Sequence, residues 1–97
     1  MKFMGEWSLH PGTREHAIRR FLETGAPSPA GVKLLGRWHK ADLTGGYTLV
    51  EAESAKDMAD FSAQWSDVVT LCIHPVIEDG DAAEVWKQVA HVSLKHS

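Results

Sequence analysis

Asparagine is absent from this 97-residue chain, so it holds no N-glycosylation acceptor. Cysteine occurs once, at Cys72, which rules out an internal disulfide and a paired-thiol metal knuckle and fits a reducing compartment. No apolar run approaches the ~20 residues of a membrane span. At the N-terminus Gly5 and Glu6 interrupt the apolar residues after a single lysine, so no signal-peptide core forms, and a cytoplasmic location is expected. Neither sign of charge dominates: 10 basic and 13 acidic side chains are intermixed, for a net −3. Nucleic-acid binding needs a concentrated basic surface, so neither a nucleic-acid nor a membrane partner is expected. There is no internal repeat, Gly-rich phosphate loop, nucleophile elbow or zinc-protease motif. No cofactor and no metal site are expected.

What is present is an ordinary globular balance, 43% hydrophobic and 24% charged. The length suits one domain over residues 1–97, burying roughly 60–70% of its unfolded surface.

Alternation of apolar and polar residues predicts a strand over Lys2 to His10, ended by Pro11-Gly12. Thr13 is placed to cap a helix whose stripe is Ala17, Ile18, Phe21 and Leu22, with Gly25 closing it. Val32 to Lys40 is a second strand. A hairpin connection ends at Gly45-Gly46, where positive φ is allowed, and Tyr47 to Glu53 is the third strand. Ser54 and Asp57 resemble a capping box ahead of Met58, Phe61, Ser62 and Trp65. Val68 to Ile77 is a fourth strand, and Pro75 within it marks a sheet edge. Asp81 and Glu84 open a last helix with the stripe Ala82, Val85, Trp86 and Val89. Residues 91–97 are expected to fray. The order β-α-β-β-α-β plus a C-terminal helix is the α+β, ferredoxin-like arrangement, a four-stranded antiparallel sheet with helices on one face.

Strict alternation assigns the two sheet faces. Phe3, Trp7, Leu9, Val32, Leu34, Trp38, Val50, Ala52, Val69, Leu71 and Ile73 take the helices. The opposite face receives Met4, Glu6, Leu35, Arg37, His39, Tyr47, Leu49, Glu51, Cys72 and His74. That second face mixes charges with too many apolar groups to leave in water, so a second sheet is expected to cover it.

On that face Arg37 and Glu51 read either as a structural ion pair or as an anion clamp, the guanidinium gripping a carboxylate or phosphate. His39 reads as a hydrogen-bonded interior histidine or as a catalytic base, because imidazole titrates near neutrality. Glu6 and Glu51 on adjacent strands are able to share a proton, unless Arg37 or solvent balances them. Tyr47 and His74 complete the candidate ligand wall. His10, His39 and His74 lack a metal-ligand spacing. Cys72 is more simply a small hydrophobe than a nucleophile, and the four tryptophans read as packing.

The start Met1-Lys2-Phe3-Met4, the stretch Arg20-Phe21-Leu22-Glu23-Thr24-Gly25-Ala26-Pro27, Leu35-Gly36-Arg37-Trp38-His39, Leu49-Val50-Glu51 and Gln64-Trp65-Ser66-Asp67 together resemble a family of small bacterial proteins, a domain of unknown function in the dimeric α/β-barrel superfamily. The resemblance extends to about Asp79. It implies a homodimer whose two sheets face each other. The superfamily includes cofactor-free monooxygenases, isomerases, dehydratases and haem enzymes, and fold alone does not choose among them. The Asn/Trp/His set of its haem-degrading members is not matched, since asparagine is absent. Three readings follow: a homodimer binding a small anionic or aromatic metabolite in the barrel cavity, a cofactor-independent monooxygenase or isomerase with His39 as base, and a structural or interaction module without a ligand.

Overall fold

A computed structural model of the chain describes residues 1–96, with side chains to His91. Its elements are β1 (Lys2–Leu9), α1 (Arg14–Thr24), β2 (Val32–His39), β3 (Gly45–Ala52), α2 (Ala55–Ala63), β4 (Val69–Val76) and α3 (Asp79–His96). The sheet order is β2-β3-β1-β4, with every neighbouring pair antiparallel, and β4 at an edge as Pro75 requires. This is the α+β, ferredoxin-like fold with an added C-terminal helix. The segment expected to fray, residues 91–97, ends on Ser97, which lies outside the described residues.

Local chemistry accounts for most element ends. Ser54 Oγ accepts from the Asp57 N–H at 3.2 Å, which caps α2, and donates to the Asp57 carboxylate at 3.1 Å, so the second bond of a full capping box, from the Ser54 N–H, is replaced by one from its hydroxyl. Gly25 closes α1 at φ 70°, its N–H donating to the Phe21 carbonyl. Thr13 departs from its expected role. Its hydroxyl donates to the carbonyls of His10 and Val68 instead of accepting from the helix, which ties the start of α1 to the approach of β4. Gly45 and Gly46 also depart: they are residues of β3, and the left-handed residue of the hairpin connection is Leu43, at φ 60°. Gly46 is needed for close approach. A Cβ there would sit 2.1 Å from the Trp38 carbonyl oxygen and 2.5 Å from the Trp7 indole.

The helix-covered side holds two apolar clusters. Phe3, Val32, Val50, Ala52, Met58 and Phe61 pack with Leu71 and Ile73 beneath α2. Ala17, Val68 and Val69 pack with Trp7, Leu9, Trp65 and Leu71 towards α1.

The decisive departure from strict alternation is in β2. Leu34 pairs with Val50 and Gly36 pairs with Leu49, so Leu35 is an extra residue, a β-bulge. Before the bulge, Val32 and Leu34 lie on the helix side as expected. After it the parity inverts: Arg37 pairs with Thr48 and His39 with Gly46 on the helix side, while Trp38 pairs with Tyr47 on the open side. Trp38 is therefore 55% exposed and does not pack in the core. Its ring lies over Gly36, where a Cβ would come within 2.4 Å of it. Arg37 and His39 correspondingly leave the face on which alternation put them.

Trp86 is also no core residue, at 68% exposed. α3 projects from the body. The radius of gyration is 17.3 Å, against ~12.5 Å for a compact chain of this length, and the molecule measures 57 × 29 × 18 Å.

Candidate functional site: a cavity beneath the first helix

The site is built where α1 crosses the β2–β3–β1 end of the sheet. Ala17 is the only residue of the α1 stripe that is buried, so the helix stands off and leaves room. The result is a cavity of about 220 Å³. Trp7, Ala17, Ile18, Phe21 and Phe61 contribute apolar wall, Leu43 stands on its rim, and Arg37, His39 and Thr48 add polar groups.

Arg37 is held by backbone. Its Nη2 donates to the Ala26 carbonyl at 2.7 Å and Nη1 to the Gly25 carbonyl at 3.4 Å, while the guanidinium lies 5.8 Å from the Phe21 ring centroid. These carbonyls end α1, the negative pole of the helix. Gly25 and Ala26 are both left-handed, Ala26 at φ 47°, a conformation that costs an alanine roughly 1–2 kcal/mol. Burial pushes the Arg37 guanidinium down from its usual value, though a guanidinium stays charged at neutral pH. Among the described residues no carboxylate lies within ion-pair distance of Arg37. The side chain is thus a partly desolvated cation with two of its five N–H groups on carbonyls.

His39 meets Trp7 edge-on at 5.2 Å between centroids and Phe21 at 5.4 Å. The wall is braced from outside by Arg20, whose guanidinium grips both oxygens of Asp67 at 2.9 and 2.5 Å and lies 5.2 Å from the Trp65 ring centroid. That pairing holds the Asp67 carboxyl down at about 2.

The residues singled out in the sequence fall into two groups. Arg37 and His39 come together at the cavity. Glu6, Tyr47, Glu51 and His74 lie on the other side of the sheet. Glu51 pairs in register with Lys2 and Lys33, not with Arg37. Glu6 takes Lys40 at 3.2 Å and lies four residues along the sheet from Glu51, roughly 13 Å, too far to share a proton. His74 meets Cys72 at 3.6 Å, and His10 meets Thr70 at 2.9 Å. Because His39 faces away from both, the three histidines do not converge. Among the described residues no set of His, Cys, Asp or Glu is placed to hold a metal ion. Sequence reading missed Phe21, Ala26, Leu43 and Thr48 as cavity residues. Thr48 carried a usable signal, being a hydroxyl at the same parity as Val50 and Ala52.

The sequence matches a family model described as a domain of unknown function, DUF3303, over residues 1–90. The chain belongs to the DUF3303 family. Comparison with curated proteins finds no match. For a DUF3303 domain the chemistry therefore has to be read from the cavity itself. Among the described residues of this DUF3303 chain, no helix is long and apolar enough to cross a membrane.

Proposed function

We propose that this chain is a cytoplasmic homodimer that binds a small anionic or aromatic metabolite, taken up in the cavity between α1 and the sheet. The observation that carries the reading is Arg37, a cation without a carboxylate partner among the described residues, on the wall of a mostly apolar cavity. A ligand with an aromatic or short aliphatic body and one carboxylate complements both features: the body replaces water along Trp7 and Phe21, and the carboxylate meets the guanidinium. The size agrees, since a cavity of about 150 Å³ holds benzene and this one is larger. The homodimer and its place among the dimeric α/β barrels are supported by the resemblance and by the apolar groups Trp38 and Tyr47, paired and exposed on the open sheet face. In this reading Glu6, Tyr47, Glu51 and His74 belong to the dimer face and not to the ligand.

Titration of the protein with benzoate, phenylacetate and hexanoate, followed by amide chemical shifts, tests the proposal. Saturable shifts around Trp7, Phe21 and Arg37 are expected. Arg37→Met should weaken carboxylates at least about tenfold and leave benzyl alcohol unaffected. Ala17→Leu, which fills the cavity, should abolish both. Absence of saturable binding of any of these probes to the wild-type protein at millimolar concentration overturns the reading.

His39 favours a second reading, a cofactor-independent isomerase or monooxygenase, because its imidazole lines the same cavity. In that case His39→Gln abolishes turnover and spares binding. A structural module without a ligand fits least well, since a purely structural core has no use for the open space.

A further inference from the structure

The floor of the cavity carries a hydroxyl with no task in the fold. Thr48 lies at the middle of β3 and is 5% exposed, the only buried polar side chain among the described residues. Its partners across the sheet are Gly5 on β1, which has no side chain, and Arg37 on β2, whose guanidinium is carried off the sheet to the carbonyls of Gly25 and Ala26. The Thr48 hydroxyl makes no hydrogen bond to any described residue, yet no side-chain oxygen or nitrogen among them is both sealed off and unpartnered. Its Oγ1 therefore opens on the cavity that the residue lines. A buried hydroxyl without a protein partner costs stability, and valine has nearly the same shape without that cost. Two residues on, β3 uses valine, at Val50, which is 1% exposed. Packing alone does not account for a threonine at position 48.

We infer that Thr48 selects the ligand: the cavity takes a monocyclic aromatic acid that carries a hydroxyl across the ring from its carboxylate, with the carboxylate on Arg37 and the hydroxyl on Thr48 Oγ1. The inference rests on the carboxylate reading above and narrows it to phenolic acids. The two anchors lie at different heights. The guanidinium is held at the end of α1, and the threonine hydroxyl lies on the sheet below, so a ligand that meets both stands upright between helix and sheet. Its ring then faces the Phe21 and Trp7 wall. A threonine hydroxyl donates and accepts, so it pairs with a phenol in either sense. Volume agrees: about 220 Å³ leaves room for two substituents beyond the ~150 Å³ that takes benzene.

Calorimetric titration of the full chain with benzoate and with 2-, 3- and 4-hydroxybenzoate tests the inference. The wild-type protein should bind 3- or 4-hydroxybenzoate at least about tenfold more tightly than benzoate. The 2-isomer, whose hydroxyl lies beside its own carboxylate, should gain nothing. In Thr48→Val the preference should fall to about one, and Thr48→Ser should keep it. Without ligand, Thr48→Val should unfold at the same or a higher urea concentration than the wild-type protein, because it removes an unpartnered hydroxyl. Benzoate binding without a preference for the 3- or 4-isomer, a preference that survives in Thr48→Val, or an equal gain from the 2-isomer overturns the role of Thr48 and leaves the carboxylate site standing. A lowered urea midpoint for Thr48→Val means that the hydroxyl serves the fold, and overturns it as well. Failure of the wild-type protein to bind any of the four acids overturns both.

Discussion

The two helices that cover the sheet do unequal work. α2 buries Met58 and Phe61 against Phe3, Val50 and Ala52, and Val50 is 1% exposed. α1 buries only Ala17, leaves Leu22 in water and stands above a cavity walled by Phe21 and Trp7. One half of the layer is close-packed in the way that gives a fold its stability. The other half gives up packing, seats a cation among aromatics and holds Ala26 in a left-handed conformation. Departures of this kind gather at functional sites, because selection for stability alone removes them.

Truncating one phenylalanine in each half separates the two most strongly. Phe3→Ala, beneath α2, should cost about 3–5 kcal/mol, as expected for a buried aromatic, and Phe21→Ala clearly less, because its ring borders the cavity and that of Phe3 does not. Urea unfolding of the two variants decides it, and equal losses would erase the distinction between the halves.

A smaller effect concerns the strut that holds the looser half in place. Arg20 keeps the Asp67 carboxyl at about 2, below its ordinary 3.8. A depressed carboxyl binds protons more readily when unfolded, so its contribution is complete above the ordinary value and fades as pH falls from 3.8 towards 2. Asp67→Asn should therefore lower the urea midpoint near neutrality and converge with the wild-type protein at the acid end. A constant gap between the two proteins across that window would mean that the ion pair is not what braces α1.

The smallest expected effect is a null one. A double-mutant cycle on Arg37→Met and Glu51→Gln should be additive within about 0.5 kcal/mol, because the two side chains lie on opposite sides of the sheet. Larger coupling would contradict the inverted half of β2.

Those experiments also mark where sequence reading succeeded. Seven elements, their order, the edge position of β4 and the Ser54 and Gly25 caps were legible, because periodicity and local hydrogen bonding are short-range properties. The face of Arg37 and His39 was not. Alternation counts residues, and Leu35, apolar like its neighbours, gives no sign of being the extra one. The error passed from there to the Arg37–Glu51 pair and to Trp38. The cavity was out of reach for a different reason: its volume depends on how far α1 stands from the sheet, a distance that no stripe of residues encodes. Trp86 was read as packing because its helical spacing is right, and spacing identifies an apolar face without saying what meets it.

The bulge at Leu35 works like a frameshift written into a strand. Upstream the chain is read in one frame and downstream in the other, and a single residue separates the two messages. Losing that residue would leave composition, charge and hydropathy nearly untouched. It would also exchange the contents of the two sides, putting an indole where the cation and imidazole stand and returning both polar groups to the outer face. In this strand an insertion or deletion of one residue outweighs most substitutions, and length is as much a part of the site as identity.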